Sequence, residues 1–138
     1  MASTISMQDM RYMNLFGRIT KISTRFCFKY NEIIYFCVPK KLLSRAIGEK
    51  GANIKKMSEV LKKRIRIIAC PKGIEDIKSF IEAIVNPVTF KELEVKEDEV
   101  ILTAGPQSKA ALLGRNKRRL LEMQGIVKDY FGKEFKIV

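Results

Sequence analysis

Two glycines separated by two residues, Gly48 and Gly51, occupy the middle of the first half of the chain. A phosphodiester backbone can approach a protein backbone closely only where side chains are absent, and glycine provides that bare surface. A helical pattern begins directly after Gly51, so the positive end of that helix and its first N–H groups would point at the same place. Lys50 adds a mobile positive charge, and Ile47 and Ile54 can form an apolar wall beside the loop. The segment is therefore suited to holding a phosphate backbone while the bases lie against apolar side chains.

The candidate binding residues belong to the loop, to the helical turns on either side of it, and to nearby basic positions. They are Ile47, Gly48, Glu49, Lys50, Gly51, Asn53, Ile54 and Lys55, together with Lys41, Arg45, Arg64 and Arg66. Each basic residue of this set has an alternative role, because charged residues commonly form solvated surface without any ligand.

The distribution of charge agrees with a polyanionic partner. The chain has 27 Lys and Arg residues against 15 Asp and Glu residues, a formal charge of +12. Residues 1–70 contain 15 basic and 4 acidic side chains, whereas residues 71–138 contain 12 and 11. Basic proteins of this size commonly bind nucleic acid, and we expect such a partner to contact the first half most strongly.

Several function classes lack the residues that they require. The sequence contains no histidine, so the commonest general acid–base group is missing and no Ser–His or Cys–His pair can form. We expect no enzyme activity, no metal site and no cofactor. No apolar run reaches the roughly 18–20 residues of a spanning helix and no signal peptide opens the chain, which predicts a cytoplasmic protein without a membrane partner.

The three cysteines, Cys27, Cys37 and Cys70, are widely spaced and form no zinc-binding pattern. We expect them to be buried thiols that act as small hydrophobic residues. A disulfide between Cys27 and Cys37, on neighbouring predicted strands, stays open, because some intracellular proteins of hyperthermophiles form such bonds.

Hydrophobic periodicity predicts an α/β protein in which one order of elements occurs twice. The first set is an amphipathic helix over residues 5–17, strands over 26–30 and 33–38, helices over 40–47 and 52–62, and a strand over 64–69. In the first strand, Phe26, Phe28 and Tyr30 alternate as core residues do. The second set is a helix over residues 74–85, strands over 88–95 and 99–104, helices over 105–113 and 117–131, and a strand over 134–138.

This order indicates an internal repeat of half the chain length. Gly114 lies 66 residues after Gly48, and at the same offset Met57 aligns with Met123. We therefore predict two domains of the same type, residues 1–70 and residues 71–138.

The second loop departs from the pattern of the first. Its residues Gly114, Arg115, Asn116 and Lys117 keep the first glycine and have lysine in place of the second. If the fourth position must be bare, Lys117 blocks close approach of a phosphate. Three interpretations stay open: an auxiliary electrostatic contact that includes Arg115, Arg118 and Arg119, a continuing clamp, or a purely structural copy.

The segments Tyr30–Tyr35 (Tyr-Asn-Glu-Ile-Ile-Tyr) and Ala46–Lys55 resemble the archaeal NusA transcription factors, and the element order resembles that of the type II KH domain. The resemblance covers nearly the whole chain. It implies two tandem type II KH domains, each a three-stranded mixed sheet packed against three helices. It also implies a protein that binds nascent single-stranded RNA in transcription elongation, termination or antitermination, with RNA polymerase as a second candidate partner.

Two other function classes are compatible with the same fold. One is a structural component of the ribosome or of another ribonucleoprotein, and the other is a protein-interaction module whose KH fold does not bind RNA. The charge of the first half argues against the second of these. We expect a monomer. The residues do not distinguish RNA from single-stranded DNA, and they indicate no base preference.

Overall fold

The computed structural model describes residues 7–24 and 26–138, and the chain divides into two compact units between Lys72 and Gly73. The described residues form six α-helices and two three-stranded sheets. None of the helices in these ranges is both long and apolar enough to cross a membrane.

The first unit contains three helices and three strands. They are α1 (Met7–Thr20), β1 (Phe26–Tyr30), β2 (Ile33–Val38), α2 (Leu43–Ile47), α3 (Ala52–Leu61) and β3 (Arg64–Ala69). Strands β1 and β2 are antiparallel, and the turn between them places Asn31 and Glu32 at φ 53° and 63°, which suits a two-residue hairpin. Strand β3 is parallel to β2, and the chain reaches it through α2 and α3. The sheet is therefore mixed, in the order β1-β2-β3.

All six side chains of β2 are buried, as its uninterrupted apolar sequence predicts for a central strand. Ile34, Phe36 and Val38 belong to the same core cluster as Phe16 of α1, Ala46 of α2 and Met57 of α3. The rings of Phe16 and Phe36 stack with centroids 4.7 Å apart. This face of the sheet therefore holds the helices on both sides of the loop.

The other face of this sheet carries a row of three side chains that lie opposite one another across the strands. Phe28 pairs with Tyr35, and Tyr35 pairs with Arg66. The rings of Phe28 and Tyr35 are nearly parallel with centroids 5.1 Å apart, and the guanidinium carbon of Arg66 lies 6.0 Å from the Tyr35 centroid. Arg66 thus makes a cation–π contact within the protein.

The second unit repeats the order. Its elements are α4 (Ile77–Val85), β4 (Glu92–Val95), β5 (Glu99–Thr103), α5 (Pro106–Leu113), α6 (Arg118–Phe131) and β6 (Glu134–Ile137). Strands β4 and β5 are antiparallel and β5 and β6 are parallel. Val100, Leu102 and Phe135 are buried on one face of this sheet, and Met123 and Val127 of α6 are buried as well.

Lys133, between α6 and β6, is a buried cation with only 6% of its surface exposed. Its Nζ donates hydrogen bonds to the backbone oxygens of Lys96 at 2.7 Å and Glu97 at 2.5 Å. These bonds, together with the one from Glu134 N–H to Asp98 O at 2.9 Å, fix the β4–β5 turn against the start of β6. The buried ammonium group therefore stabilises a turn.

Several elements begin or end one to four residues away from the boundary that the sequence predicts, and hydrogen bonds account for two of these differences. Helix α1 does not end at Gly17 but continues to Thr20, because Lys21 N–H donates to Gly17 O at 2.9 Å and Thr20 Oγ1 donates to Phe16 O at 2.8 Å. Residues 5 and 6 of the predicted helix lie outside the described residues. Strand β4 begins at Glu92 rather than at residue 88, because Val88 N–H donates to Val85 O in a turn that closes α4.

A disulfide between Cys27 and Cys37 is excluded by the register of the sheet. Cys27 lies opposite Phe36 and Cys37 lies opposite Phe26, so the two cysteines point to opposite faces. All three cysteines are thiols. Burial, followed by the charge and hydrogen bonding of Asp9, raises the pKa of the Cys27 thiol to about 12. A hydrogen bond from Cys37 lowers the pKa of the half-buried Cys70.

These environments predict an order of thiol reactivity, because the thiolate is the form that an alkylating reagent attacks. In the folded protein at pH 8 we expect iodoacetamide to modify Cys70 first, with Cys27 and the buried Cys37 reacting only slowly. Mass spectrometry of timed samples measures this order, and unfolded protein without reductant should yield three modified sites. Faster reaction at Cys27 than at Cys70 would contradict the assignment.

Candidate nucleic-acid interface

The first loop has a backbone that only particular residues can adopt. Gly48 has φ 83° and ψ 166°, a region essentially restricted to glycine, whereas Lys50 and Gly51 lie in the left-handed helical region at φ 54° and 74°. Gly48 N–H donates to Ser44 O, and Gly51 N–H donates to Gly48 O, both at 3.1 Å. The loop is thereby a fixed turn between α2 and α3, and Ala52, the first residue of α3, is exposed to solvent.

The two glycines of this loop have different surroundings. A Cβ atom added at Gly48 would lie 3.0 Å from the backbone nitrogen and side chain of Asn53. A Cβ atom added at Gly51 would meet no other atom of the described residues within 4 Å. Gly48 is therefore required by the fold, while Gly51 leaves a bare patch of backbone on the surface.

This difference predicts unequal costs for alanine at the two positions. Gly48→Ala should lower the free energy of unfolding by about 3 kcal/mol, since it combines a forbidden backbone conformation with a steric conflict. Gly51→Ala should cost about 1 kcal/mol, the penalty of the left-handed region alone. Urea denaturation of the two variants measures both values, and equal costs would refute the assigned roles.

Asn53, a predicted binding residue, uses its side chain inside the protein. Its Nδ2 donates to Ala46 O at 3.0 Å and lies 3.4 Å from Arg45 O, so it satisfies carbonyls at the end of α2. Its contribution to a site is thus to hold the two helices and the loop in place.

The other predicted residues around this loop divide into exposed charged side chains, four of them basic and one acidic, and half-buried apolar side chains. Ile47 and Ile54 pack against the core cluster with part of their surface exposed. The exposed residues are Lys41, Arg45, Glu49, Lys50 and Lys55. The structure therefore brings four positive charges and two apolar edges to the helices around Gly48–Gly51.

Arg64 and Arg66 lie elsewhere on this unit. Ile65 and Ile67 of β3 point into the helix-facing core, so Arg64 and Arg66, at alternate positions, lie on the opposite face of the sheet. Arg66 also contacts the Tyr35 ring there. The structure does not bring these two arginines to the side of the sheet on which α2 and α3 pack.

The second loop has the same backbone as the first. Gly114 has φ 75° and ψ 175°, Asn116 has φ 55° and ψ 31°, and Lys117 has φ 59° and ψ 24°. Gly114 N–H donates to Ala110 O and Lys117 N–H donates to Gly114 O, both at 3.1 Å. Replacing the second glycine by lysine has therefore not changed the turn.

Arg119, in the first turn of α6, holds this loop in place, a role that its charge alone did not indicate. Its Nη1 donates to Ala111 O at 2.9 Å, and its side chain lies against Gly114. It stands 66 residues after Asn53 and occupies the same place, so the offset of the repeat was the signal that could have identified it. Arg115, Asn116, Lys117 and Arg118 are exposed.

No group of three or more His, Cys, Asp and Glu residues capable of holding a metal ion occurs in residues 7–24 and 26–138. The first loop offers the N-terminal end of a helix, exposed cations and two apolar edges, a combination that suits an anionic polymer with apolar faces.

Each of the two units has a mixed three-stranded sheet with a helix–loop–helix between its parallel strands. This mixed α/β arrangement is consistent with tandem KH-like domains, and the predicted fold class is confirmed. The crystal structure of APE1850 superposes with a TM-score of 0.68 and 24% sequence identity, covering 97% of this chain and 99% of that one. The chain is 27% identical over 128 residues to a Methanococcus vannielii protein described as "Probable transcription termination protein NusA", covering 88% of this chain and 72% of that protein. No protein-family model matches.

Proposed function

We propose that this chain binds single-stranded RNA through the loop Gly48–Gly51 and acts in transcription elongation, termination or antitermination. The observation that carries the proposal is the bare backbone at Gly51, at the N-terminal end of α3 and among exposed cations. A phosphate can approach that patch closely, and helix N-termini favour anions. Each of the two domains that we assign, residues 1–70 and residues 71–138, contains a loop of this backbone conformation, but only the first has glycine at its fourth position.

In this mechanism the RNA backbone lies over Gly51 and the first turn of α3. Lys50, Lys55 and the cations of the preceding helix attract its phosphates, while the exposed edges of Ile47 and Ile54 contact bases. Asn53 keeps the loop in position. Arg64 and Arg66 contribute at most a contact along β3, and Gly114–Arg118 of the second loop provide an auxiliary one.

The transcription context rests on the similarity to the Methanococcus vannielii protein, which spans most of both chains. Its description concerns transcription termination, and the role we propose here is contact with the nascent transcript by a monomer in the cytoplasm. Binding to the nascent transcript would then place the protein near RNA polymerase, which is the second partner that we propose.

Filter binding with random-sequence single-stranded RNA tests the first part of the proposal. Four phosphate contacts at the first loop, from Lys41, Arg45, Lys50 and Lys55, predict a slope of log affinity against log salt of about −3, made steeper by any contact at the second loop. That corresponds to at least a roughly fifty-fold loss of affinity between 50 and 200 mM salt. A perfectly paired RNA duplex of equal length should bind more weakly. Absence of binding at 50 mM salt would overturn the proposal.

Crosslinking of the protein to RNA in cells, followed by sequencing, tests the second part. Nascent transcript ends are the expected product. Recovery of mature ribosomal RNA alone would instead assign the protein to a ribonucleoprotein particle.

A further inference from the structure

The two loops share one backbone conformation and differ in the side chain at their fourth position. Their corresponding residues agree in φ to within about 15° and share both turn hydrogen bonds. Lys117 occupies in the second loop the place that Gly51 occupies in the first. The second loop therefore shows that this backbone conformation also forms with lysine at the fourth position.

It follows that the fold does not demand glycine at position 51. Neither crowding nor the left-handed backbone requires it, since a Cβ atom there would meet nothing and Lys117 adopts the same conformation. The effect of glycine at position 51 is that no side chain occupies the space above the loop backbone. In the second loop, the side chain of Lys117 begins at that point and fills the space through which a phosphate would approach.

The local charges of the loops run opposite to the charges of the two halves of the chain. Gly48–Gly51 contains one acid, Glu49, and one base, Lys50, so its formal charge is zero. Gly114–Lys117 contains Arg115 and Lys117 and no acid, although residues 71–138 as a whole are nearly neutral. Positive charge is therefore concentrated in Gly114–Lys117, the loop in which the Lys117 side chain occupies the space above the backbone.

We propose that the residue at the fourth position of each loop sets how that loop holds a phosphodiester backbone. Gly51 permits short contacts between phosphate and protein backbone, whereas Lys117 excludes them and holds the phosphate by side-chain charge. The first loop then fixes the register of the RNA, and the second provides a salt-sensitive contact that tolerates sliding. This inference rests on the proposed function.

Variants at positions 51 and 117 in the full-length chain, measured by binding to unstructured single-stranded RNA across a salt series, test it. Lys117→Asn keeps a Cβ atom and a residue that tolerates the left-handed region but removes the charge. Lys117→Gly removes both. Each should reduce the magnitude of the salt slope by about 0.7, the value for one phosphate contact of a single strand. At high salt the glycine variant should bind at least threefold more tightly than the asparagine variant.

The reciprocal change should have the reciprocal effect. Gly51→Lys should steepen the slope by about 0.7 and weaken binding at high salt at least fivefold. If the thermal transition shows that Gly51→Lys does not fold, Gly51→Asn is measured instead, because asparagine tolerates the left-handed backbone. Gly51→Asn should weaken binding without steepening the salt slope.

Unchanged slopes in both position-117 variants, or equal high-salt affinities for Lys117→Asn and Lys117→Gly, would overturn the inference. Those results leave the proposed function standing if the double variant Glu49→Asp, Lys50→Asp has lost binding to the same RNA. If that variant binds like the wild type, the proposed function fails as well.

Discussion

Replacing Glu49 and Lys50 together by aspartate is expected to weaken binding to an unstructured single-stranded RNA by roughly thirty-fold or more. The exposed turn then presents two negative charges where a phosphate must approach, and it loses the positive charge of Lys50. Loss of one charge-assisted contact of about 2 kcal/mol accounts for that factor. Filter binding or fluorescence anisotropy at fixed salt measures it.

The fold should tolerate this change, because both side chains are exposed and neither belongs to the core cluster. A matched control is Lys78→Asp in the first turn of α4, an exposed position outside both loops that alters the net charge by the same two units. The control should bind within about threefold of the wild type at the same salt concentration. Equal weakening in both variants would mean that net charge, and not this loop, determines binding.

Phe36→Ala should have the largest effect on stability in the first unit, a loss of about 3–5 kcal/mol in the free energy of unfolding. Phe36 is fully buried at the centre of β2 and stacks on Phe16. A loss of this size is comparable with the whole stability of a unit of this length, so we expect the first unit to be largely unfolded at 37 °C. Far-ultraviolet circular dichroism during urea denaturation measures the change.

Phe26→Ala supplies the comparison, since the same side chain is removed from the adjacent strand. Phe26 is 43% exposed, and its replacement should cost about 1 kcal/mol. A cost for Phe36→Ala no larger than that for Phe26→Ala would contradict the position of the core. The burial of these side chains also corrects a prediction from the sequence. Phe26, Phe28 and Tyr30 were expected to lie in the core, and of the three only Tyr30 is buried.

The sequence allowed the fold to be predicted where apolar patterns were long. The uninterrupted run Ile33–Val38 predicted the central strand, and the two glycines located the turn between α2 and α3. The C-terminal end of α1 and the start of β4 were predicted wrongly, because single hydrogen bonds set them. One example is the bond from Thr20 Oγ1 to Phe16 O, which no hydrophobic period encodes.

The sequence located the two interhelical loops but not the detailed surroundings of their residues. Gly48 and Gly51 look equivalent in the sequence, and only their surroundings separate a glycine that the fold requires from one that leaves the surface bare. The face on which Arg64 and Arg66 lie could have been predicted from the sequence. They alternate with the core residues Ile65 and Ile67, which assigns them to the face of the sheet away from the helices. The internal role of Asn53 depends on the exact approach of α2 and α3, which residue types do not fix.

The buried ammonium group of Lys133 has a consequence for chemical footprinting. Reagents that acylate lysines in proportion to their accessibility should label Lys50 and Lys117, which are exposed, and should leave Lys133 unmodified in the protein alone. Protection that develops at Lys50 or Lys117 on adding RNA would then report contact with the polymer. Protection at Lys133 would report only that the turn it holds through Lys96 O and Glu97 O is intact, which makes this residue an internal standard for folding in the same experiment.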